Sequence, residues 1–437
     1  MRSMIVRATT FVMAAALLVL GMPGGASAAA PTSDPFYTYS GTTPLSQLKP
    51  GTVLKKRTVS YRIQGVPLPL SAIQILYRTE NQLGDPVSNV TTVIRPLIPL
   101  SATPKVVSYQ SFYDSLNPAD EPSRAVSGGS GLGNGIVNAE TGVIAPFLLA
   151  GYTVVVPDTE GQTADFAAGR EYGVTTLDSL RAASLETSTG IGSASKIGMI
   201  GYSGGAIASE WAAELAPSYA PEVAKRIVGT AIGGVLVKPS TNLHYVEGSA
   251  VWAGVIPMAL VGVARAFKID LTPYLSDYGK QVNAKLQNAS IATVLGAYPG
   301  LTWKQLAKPE YATPESVPAY VNAANQLIMG TGGTPNAPLF IGQGDRGELE
   351  GTPAGAAGIG PGDGVMVAGD VRSLARQYCG KGVPIQYQEY PLSHVTTAPA
   401  WLPQANAWLM ARFGGVAAPN NCSSIAPGNS LSAIPTS

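Results

Sequence analysis

The 437-residue chain has an ordinary apolar content, since hydrophobic residues make up 45% of it. Charged residues make up 13%, about half the usual share, whereas a disordered chain would be richer in charge and poorer in apolar residues. The 28 basic and 27 acidic residues nearly cancel, which leaves no excess positive charge for phosphate backbones. The composition therefore excludes wholesale disorder and argues against a nucleic-acid partner.

The first 28 residues carry the pattern of a secretory signal peptide. Arg2 and Arg7 precede an apolar run over residues 11–20, and residues 26–28 are small, as a cleavage site requires. The apolar run is short for a bilayer span, so a signal peptide is favoured over a single membrane anchor. We therefore expect the mature chain to be secreted or held at the cell envelope, with no obligate protein partner.

The few cysteines and histidines limit the metal chemistry that the chain can support. Zinc sites usually draw three or four ligands from His, Cys and carboxylates, and the spacings of Cys379, Cys422, His244 and His394 match no such site. We predict no metal and no cofactor. Because exported proteins meet oxidising conditions, Cys379 and Cys422 are predicted to form a disulfide; two free buried thiols are the alternative.

Short runs rich in Val, Ile, Tyr and Phe, each bounded by turn residues, predict the strands. The first three, VSYRIQ, IQILYRT and VSNVTTVIRP, are predicted to be antiparallel. Five more strands are predicted over residues 106–112, 152–157, 196–202, 338–342 and 385–390. Helical patterns over residues 172–185, 206–215, 370–379 and 403–413 alternate with them. Strands that alternate with helices predict an α/β fold with a mostly parallel sheet.

The alternation stops between residues 238 and 336, where helical patterns such as 278–287 and 317–328 occur without a clear strand. We interpret this stretch as a helical cap inserted into a core formed by residues 29–237 and 337–415. The last residues, 416–437, are rich in Ser, Pro and Asn and are predicted to form an irregular tail.

A candidate nucleophile lies in the sequence Gly201-Tyr202-Ser203-Gly204-Gly205, between a predicted strand and a helical pattern. G-x-S-x-G in this setting is typical of a nucleophile elbow. Small residues at both ends let the strand and the helix cross closely, and the strained turn lifts the serine hydroxyl clear of the sheet. An ordinary strand-to-helix turn is the alternative.

A serine hydroxyl needs a base that accepts its proton, and the chain has only two histidines. His394, in the predicted loop after strand 385–390, fits the chain order of serine, acid and histidine that is typical of this architecture. His244 leaves almost no room for an intervening acid and is interpreted as a cap-packing or surface residue.

The acid is expected after strand 338–342, where Asp345, Asp363 and Asp370 are candidates. Asp370 is interpreted as the N-cap or a first-turn residue of the following helix, which is a structural role. Spacing alone does not separate Asp345 from Asp363.

Long stretches of the chain resemble the secretory lipase family. The resemblance covers most of the sequence after the leader and is most specific around Ser203, in GYSGGAIASEWAAELAPSYAPE; it also includes FYTYSG, ILYRTENQLGDPVSNVTTVIRP, VVVPDTEGQTADFAAG and LARQYCGKGVPIQYQEYPLSH. It implies an α/β-hydrolase core with a helical cap, and hydrolysis of esters or triacylglycerols outside the cell.

The resemblance also assigns roles to single residues. It implies that Ser203 is the nucleophile and His394 the general base, and the register of DGVMVAGDVRSL favours Asp363 over Asp345 as the acid. It implies an oxyanion hole formed by the Gly204 N–H and by Asp114 in SYQSFYDS, for which an ordinary turn aspartate is the alternative. A side chain that donates to an oxyanion has to be protonated, so the pKa of Asp114 would have to be raised.

An apolar run over residues 251–264 lies within the predicted cap and is too short and interrupted to span a membrane. It predicts either a buried cap helix or a lid that contacts the acyl chain of the substrate, and one helix could do both. The candidate acyl-contacting residues are Val251, Trp252, Ile256, Met258 and Leu260.

The sequence thus favours a secreted lipase or esterase. Its expected partner is a lipid or ester substrate, and a lipid–water interface is a further candidate. Three alternatives stay open: a serine peptidase or amidase on the same core, an acyltransferase, and a non-catalytic surface-binding protein that retains the fold.

Overall fold

A computed structural model describes residues 34–355 and 357–435, so the predicted signal peptide lies outside the described residues. Nine strands in the described residues form one sheet with the order β1-β2-β3-β5-β4-β6-β7-β8-β9. They are β1 (Val53–Ile63), β2 (Val66–Glu80), β3 (Pro86–Ile94), β4 (Val106–Gln110), β5 (Thr153–Pro157), β6 (Ile197–Tyr202), β7 (Ile227–Gly233), β8 (Leu339–Gly344) and β9 (Ile385–Tyr390).

The sheet is antiparallel at one side and parallel elsewhere. Strands β1, β2 and β3 pair antiparallel, β3 pairs antiparallel with β5, and all pairs from β5 through β4 to β9 are parallel. The prediction of an α/β fold with three antiparallel strands ahead of a mostly parallel sheet is therefore confirmed. In a parallel sheet the carboxyl ends of the strands meet at one edge, which is where such folds bind their ligands.

Fourteen α-helices occur in the described residues. Those before β7 are α1 (Pro122–Ser127), α2 (Leu132–Ala139), α3 (Thr141–Leu149), α4 (Gly169–Leu185), α5 (Gly204–Tyr219) and α6 (Pro221–Ala224). Between β7 and β8 lie α7 (Pro239–Val246), α8 (Val255–Ala266), α9 (Asp277–Leu286), α10 (Ile291–Val294), α11 (Trp303–Leu306) and α12 (Pro318–Gln326). The last two are α13 (Ala368–Gly380) and α14 (His394–Phe413).

Strand β7 was missed by the sequence patterns because Gly229 interrupts its apolar run and Gly233 ends it. Both glycines have a packing role against α14. A Cβ at Gly229 would meet the ring of Trp408, and a Cβ at Gly233 would meet the ring of Trp401, which is fully buried. The small residues of β7 therefore make room for the two indoles that join α14 to the sheet.

The segment between β7 and β8 packs around its own apolar cluster, which includes Trp252, Met258, Leu286 and Trp303. No helix in the described residues is long and apolar enough to cross a membrane. The tail contains a short 3-10 turn at Cys422–Ser424 and packs on α13.

The predicted disulfide between Cys379 and Cys422 is present and ties the tail to the end of α13. Further along the tail, the Asn429 N–H donates to the Gly369 carbonyl at 3.0 Å, and Ile425 is buried.

Candidate active site

Ser203 occupies a strained turn at the carboxyl end of β6. Its φ of 53° and ψ of −123° lie outside the regions that residues with a side chain usually adopt. A Cβ at Gly201 would overlap the Gly205 carbonyl, and a Cβ at Gly205 would overlap the Gln110 carbonyl. The two glycines therefore permit the close crossing of β6 and α5 that the motif predicted. The Ser203 N–H donates to the Gly233 carbonyl at 2.9 Å, which fixes the turn.

His394 is the first residue of α14, rather than part of a loop as the sequence indicated. The helix begins earlier than its apolar pattern because Ser393 caps it, with the side chain accepting the Thr396 N–H. The imidazole Nε2 lies 2.8 Å from Ser203 Oγ and Nδ1 lies 2.7 Å from Asp363 Oδ2. The structure thus brings together three side chains that are far apart in sequence.

Asp363 is held from two sides. Its Oδ1 accepts the Val365 N–H at 3.1 Å and the Met366 N–H at 2.7 Å, while its backbone carbonyl accepts the His394 N–H at 2.6 Å. The carboxylate is fully buried, so these donors replace the water that it has lost. Only Oδ2 remains to accept from the imidazole.

The other two candidate acids lie elsewhere. The Asp345 side chain is 30% exposed and lies 3.7 Å from the Arg346 guanidinium. Asp370 is in the first turn of α13, as predicted, and accepts from the Asn429 amide at 2.8 Å. His244 is a surface residue that pairs with Glu315 at 2.7 Å.

The electrostatic surroundings of His394 favour its protonated form. Burial alone lowers its pKa, but the charge and hydrogen bond of Asp363, with smaller contributions from Glu350 and Asp114, outweigh burial and raise the pKa above its ordinary value. The imidazole is therefore a stronger base than a free histidine, and the imidazolium that forms after it accepts a proton is stabilised.

Asp114 and Gly204 lie together beside the serine. Asp114 follows β4 with a φ of 34°, and its carboxyl is so close to Gly204 that a Cβ at Gly204 would overlap Oδ1. Burial raises the pKa of Asp114 to about 7, although the nearby His394 acts to lower it. Near neutral pH the carboxyl is therefore substantially protonated and able to donate a hydrogen bond, as the resemblance required.

An apolar cavity opens at Ser203 and extends beneath the helices between β7 and β8. Of the five residues that were expected to contact an acyl chain, Trp252, Ile256 and Leu260 line it. Val251 and Met258 do not, which corrects the prediction for these two. The lining residues of α8 recur along one face of the helix, and Met258 lies on the opposite face, fully buried in the apolar cluster. Val251 precedes α8 and packs at the edge of that cluster.

Glu350 is a part of this site that sequence reasoning missed. Its carboxylate accepts the Trp252 indole N–H at 2.7 Å and the Val395 N–H at 2.9 Å. The Trp252 and His394 rings pack in a T-shaped arrangement with a centroid distance of 5.2 Å. One carboxylate thus joins a cavity-lining side chain to the turn of α14 that carries the histidine. No motif identifies Glu350, since it lies 44 residues before His394.

Replacement of Glu350 by Gln tests its electrostatic effect on His394. The amide oxygen can still accept one of the two hydrogen bonds, but the negative charge that raises the pKa of His394 is lost. We expect the acid limb of the kcat/KM profile for an ester to move to lower pH, with a loss of less than about tenfold in kcat. The measurement is a pH profile of kcat/KM.

The matched control is Trp252→Phe, which removes one hydrogen bond to Glu350 but keeps the charge. We expect its acid limb to stay where it is in the parent. If Glu350→Gln leaves the acid limb unmoved, the electrostatic effect is refuted and only a structural role remains.

No group of three or more His, Cys, Asp and Glu side chains in residues 34–355 and 357–435 is placed to hold a metal ion.

Comparison with known proteins identifies close relatives of this chain. The model of the family described as "Secretory lipase" matches residues 129–350. Lipase 1 of Candida albicans is 30% identical over 413 residues, which cover 90% of this chain and 82% of that protein. The structure of Candida antarctica lipase A in its closed state superposes with a TM-score of 0.78 at 27% identity, covering 93% of this chain and 91% of the other.

A third relative is named as an inactive lipase. The Mycobacterium tuberculosis protein named "Probable inactive lipase MT1628" is 29% identical over 395 residues, which cover 88% of this chain and 83% of that protein. Similarity across most of the chain is therefore shared with a protein that is named as inactive.

Proposed function

The chain belongs to the secretory lipase family and is a lipase-like carboxylic ester hydrolase, for which we propose a serine mechanism that acts on acylglycerol esters. The observation that carries the proposal is the continuous line of hydrogen bonds from Ser203 through His394 to Asp363 at the mouth of an apolar cavity. We further propose that residues 238–336 act as the cap, and that the mature chain is secreted after removal of residues 1–28.

The first half of the reaction forms an acyl-enzyme. Ser203 Oγ attacks the ester carbonyl carbon while His394 Nε2 takes the hydroxyl proton, and Asp363 stabilises the imidazolium. The carbonyl oxygen becomes an oxyanion that accepts hydrogen bonds from the Gly204 N–H and from protonated Asp114. The bond to the alcohol oxygen then breaks, and His394 returns its proton to the leaving alcohol.

The second half releases the fatty acid. A water molecule gives a proton to His394 and attacks the acyl carbon, and the same donors hold the second oxyanion. The bond to Ser203 Oγ breaks and the serine recovers its proton from His394. The steps use side-chain and backbone groups of this chain together with water, and the polar groups converge where the cavity opens.

The cavity explains why the acyl side of the substrate is expected to be a hydrocarbon chain. Its lining is apolar except near Ser203 and at a few side chains such as Asn242, and each buried methylene contributes about 0.8 kcal/mol. Trp252, Ile256 and Leu260 would contact the chain. A peptide substrate would have to bury unpaired amide groups in this lining, which costs free energy.

Hydrolysis of nitrophenyl esters of increasing acyl length tests the proposed function. We expect kcat/KM to rise with chain length until the cavity is filled, and we expect the matched nitroanilides to be turned over far more slowly. Nitroanilide turnover as fast as ester turnover would instead favour a peptidase or amidase. No turnover of any ester would favour the non-catalytic alternative. A product ester that exceeds the free acid when a simple alcohol is added would favour an acyltransferase.

The proposed donor role of Asp114 predicts a loss of activity at alkaline pH. Activity first rises with pH as His394 loses its proton, and then falls as Asp114, with a pKa of about 7, becomes a carboxylate that repels the oxyanion. About two pH units above that pKa, only about one carboxyl in a hundred still carries its proton. We therefore expect a bell-shaped profile of kcat/KM.

The Asp114→Asn variant isolates this effect because its amide donates at every pH. We expect the variant to lose the alkaline limb and its acid limb to move to slightly lower pH, because Asp114 also contributes to the raised pKa of His394. Near pH 9 its activity relative to its own maximum should exceed that of the parent by about tenfold. The measurement is the pH profile with a short soluble ester. An unchanged alkaline limb would show that only the backbone N–H of Asp114 contributes.

A further inference from the structure

An apolar surface lies at the end of the sheet opposite Ser203. Four of the ten large hydrophobic side chains that are exposed in the described residues occur here, each 71–86% exposed. They are Leu97, Ile98 and Leu100 in the loop between β3 and β4, and Leu149 at the end of α3. The half-buried Leu68 and Leu70 of β2 adjoin Leu97. We call these six residues the basal patch.

The members of the basal patch lie near one another at this end of the sheet. A Cβ at Gly151, two residues after Leu149, would meet the Leu100 side chain. On the other side, Leu97 shares a shallow groove with Leu68 and Leu70. Isolated exposed hydrophobic residues need no explanation, whereas a contiguous apolar patch usually marks a binding surface.

The charge around the basal patch has a single sign. Arg95, Lys105 and Lys196 are exposed near it, and Lys105 lies over the ring of Tyr152 at 5.6 Å. The chain segments that form and flank the patch, residues 60–72, 95–105, 146–154 and 187–197, contain no Asp or Glu. The adjoining Glu186 is nearly buried and is paired with Lys56 at 2.7 Å, so the exposed charge is positive. In the part of the chain that the structure describes, none of these three cations forms an ion pair.

We propose that the basal patch binds a lipid surface with anionic head groups. Protruding aliphatic side chains on a proline-containing loop can enter the interfacial region of a membrane. Each flanking cation raises the affinity for an anionic lipid surface about fivefold. A protein partner would more often meet aromatic side chains, and none of the six patch residues is aromatic. The single sign of charge therefore selects a lipid surface over a second copy of this chain, whose identical cations would repel.

This binding would hold the active site away from the lipid surface. Ser203 follows the carboxyl end of β6, whereas the patch lies at the amino ends of β4 and β5, a strand length of about 16 Å away at 3.3 Å per residue. The enzyme would thus be retained at an envelope with its cavity facing outward. The proposal goes beyond ester hydrolysis and does not depend on it.

Flotation with vesicles tests the proposal, using the Ser203→Ala chain so that no lipid is hydrolysed. We expect this chain to float with vesicles of phosphatidylcholine mixed with phosphatidylglycerol, and to bind vesicles of phosphatidylcholine alone at least about tenfold more weakly. Added salt should weaken the binding to the mixed vesicles.

Replacement of Leu97, Ile98 and Leu100 together by Ser should weaken binding to the mixed vesicles by at least about tenfold. The matched control is Leu83→Ser, an exposed leucine in the turn before β3, about 30 Å from Arg95 by the length of that strand. We expect this control to bind like the parent. With Ser203 intact, the triple variant should hydrolyse a soluble nitrophenyl ester at the parental rate, which separates loss of lipid binding from loss of function.

Three outcomes would overturn the proposal. The first is that the parent chain stays in solution with both kinds of vesicle. The second is that the triple variant floats as well as the parent, which would place any lipid contact at the cavity mouth. The third is that light scattering shows a dimer without lipid and that the triple variant is a monomer. The basal patch would then bind a second copy of this chain rather than a lipid surface.

Discussion

Replacement of Ser203 by Ala is expected to lower kcat for ester hydrolysis by about 10⁶-fold. The variant keeps the oxyanion donors and the cavity but has no atom that can form the acyl-enzyme. The loss corresponds to about 8 kcal/mol of transition-state stabilisation. A residual rate above that in water is expected, because Gly204 and Asp114 can still polarise the bound ester. The measurement is hydrolysis of a nitrophenyl ester together with intact-mass detection of a phosphonate adduct.

Two matched variants separate the chemistry from unfolding. Ser218→Ala removes an exposed serine hydroxyl from the same helix, and His244→Ala removes the only other histidine, which pairs with Glu315 at the surface. We expect both to keep parental activity and to take up the phosphonate on Ser203. Activity of Ser203→Ala within tenfold of the parent would contradict the serine mechanism. An adduct on Ser203→Ala would place the nucleophile elsewhere.

The sheet could be predicted well because its signals are local. Buried parallel strands such as β5 and β6 have short apolar sequences. Strands β1 to β3 are marked by short runs of strand-forming residues that are bounded by turn residues. Strand β7 was not predicted because its glycines make room for Trp401 and Trp408, and this is a tertiary contact that the local sequence does not show. The start of α14 was predicted too late in the sequence for a similar reason. The helix begins at His394 because Ser393 caps it, and Pro399 and Pro403 interrupt the helical pattern that would have indicated this first part of the helix.

The site residues also differ in whether a local sequence signal or only tertiary packing identifies them. Ser203 stands in a motif whose glycines are required by local crossing of strand and helix, so it could be located from the sequence. Spacing could not decide between Asp345 and Asp363 as the acid, because the choice depends on the tertiary contact that places Asp363 beside His394. Glu350 and the face of α8 that lines the cavity depend on tertiary packing, and no short sequence pattern marks them.

Replacement of Asp363 by Asn is expected to lower kcat/KM by about 10⁴-fold. The structure gives a specific reason. Oδ1 accepts the N–H groups of Val365 and Met366, so the amide oxygen of Asn has to occupy that position and its NH₂ group has to face His394. Nδ1 must then accept a hydrogen bond, which moves the imidazole proton to Nε2. In that tautomer the ring offers a proton to Ser203 and cannot take one.

Asp345→Asn is the matched control, because it makes the same chemical change in the acid that lies closest to the end of β8. Its side chain is partly exposed and lies beside Arg346 rather than His394, so we expect kcat/KM to stay within about threefold of the parent. The tautomer argument also predicts that the histidine of Asp363→Asn carries its proton on Nε2, which nitrogen NMR of a histidine-labelled chain measures directly. A large loss in Asp345→Asn with parental activity in Asp363→Asn would instead identify Asp345 as the acid.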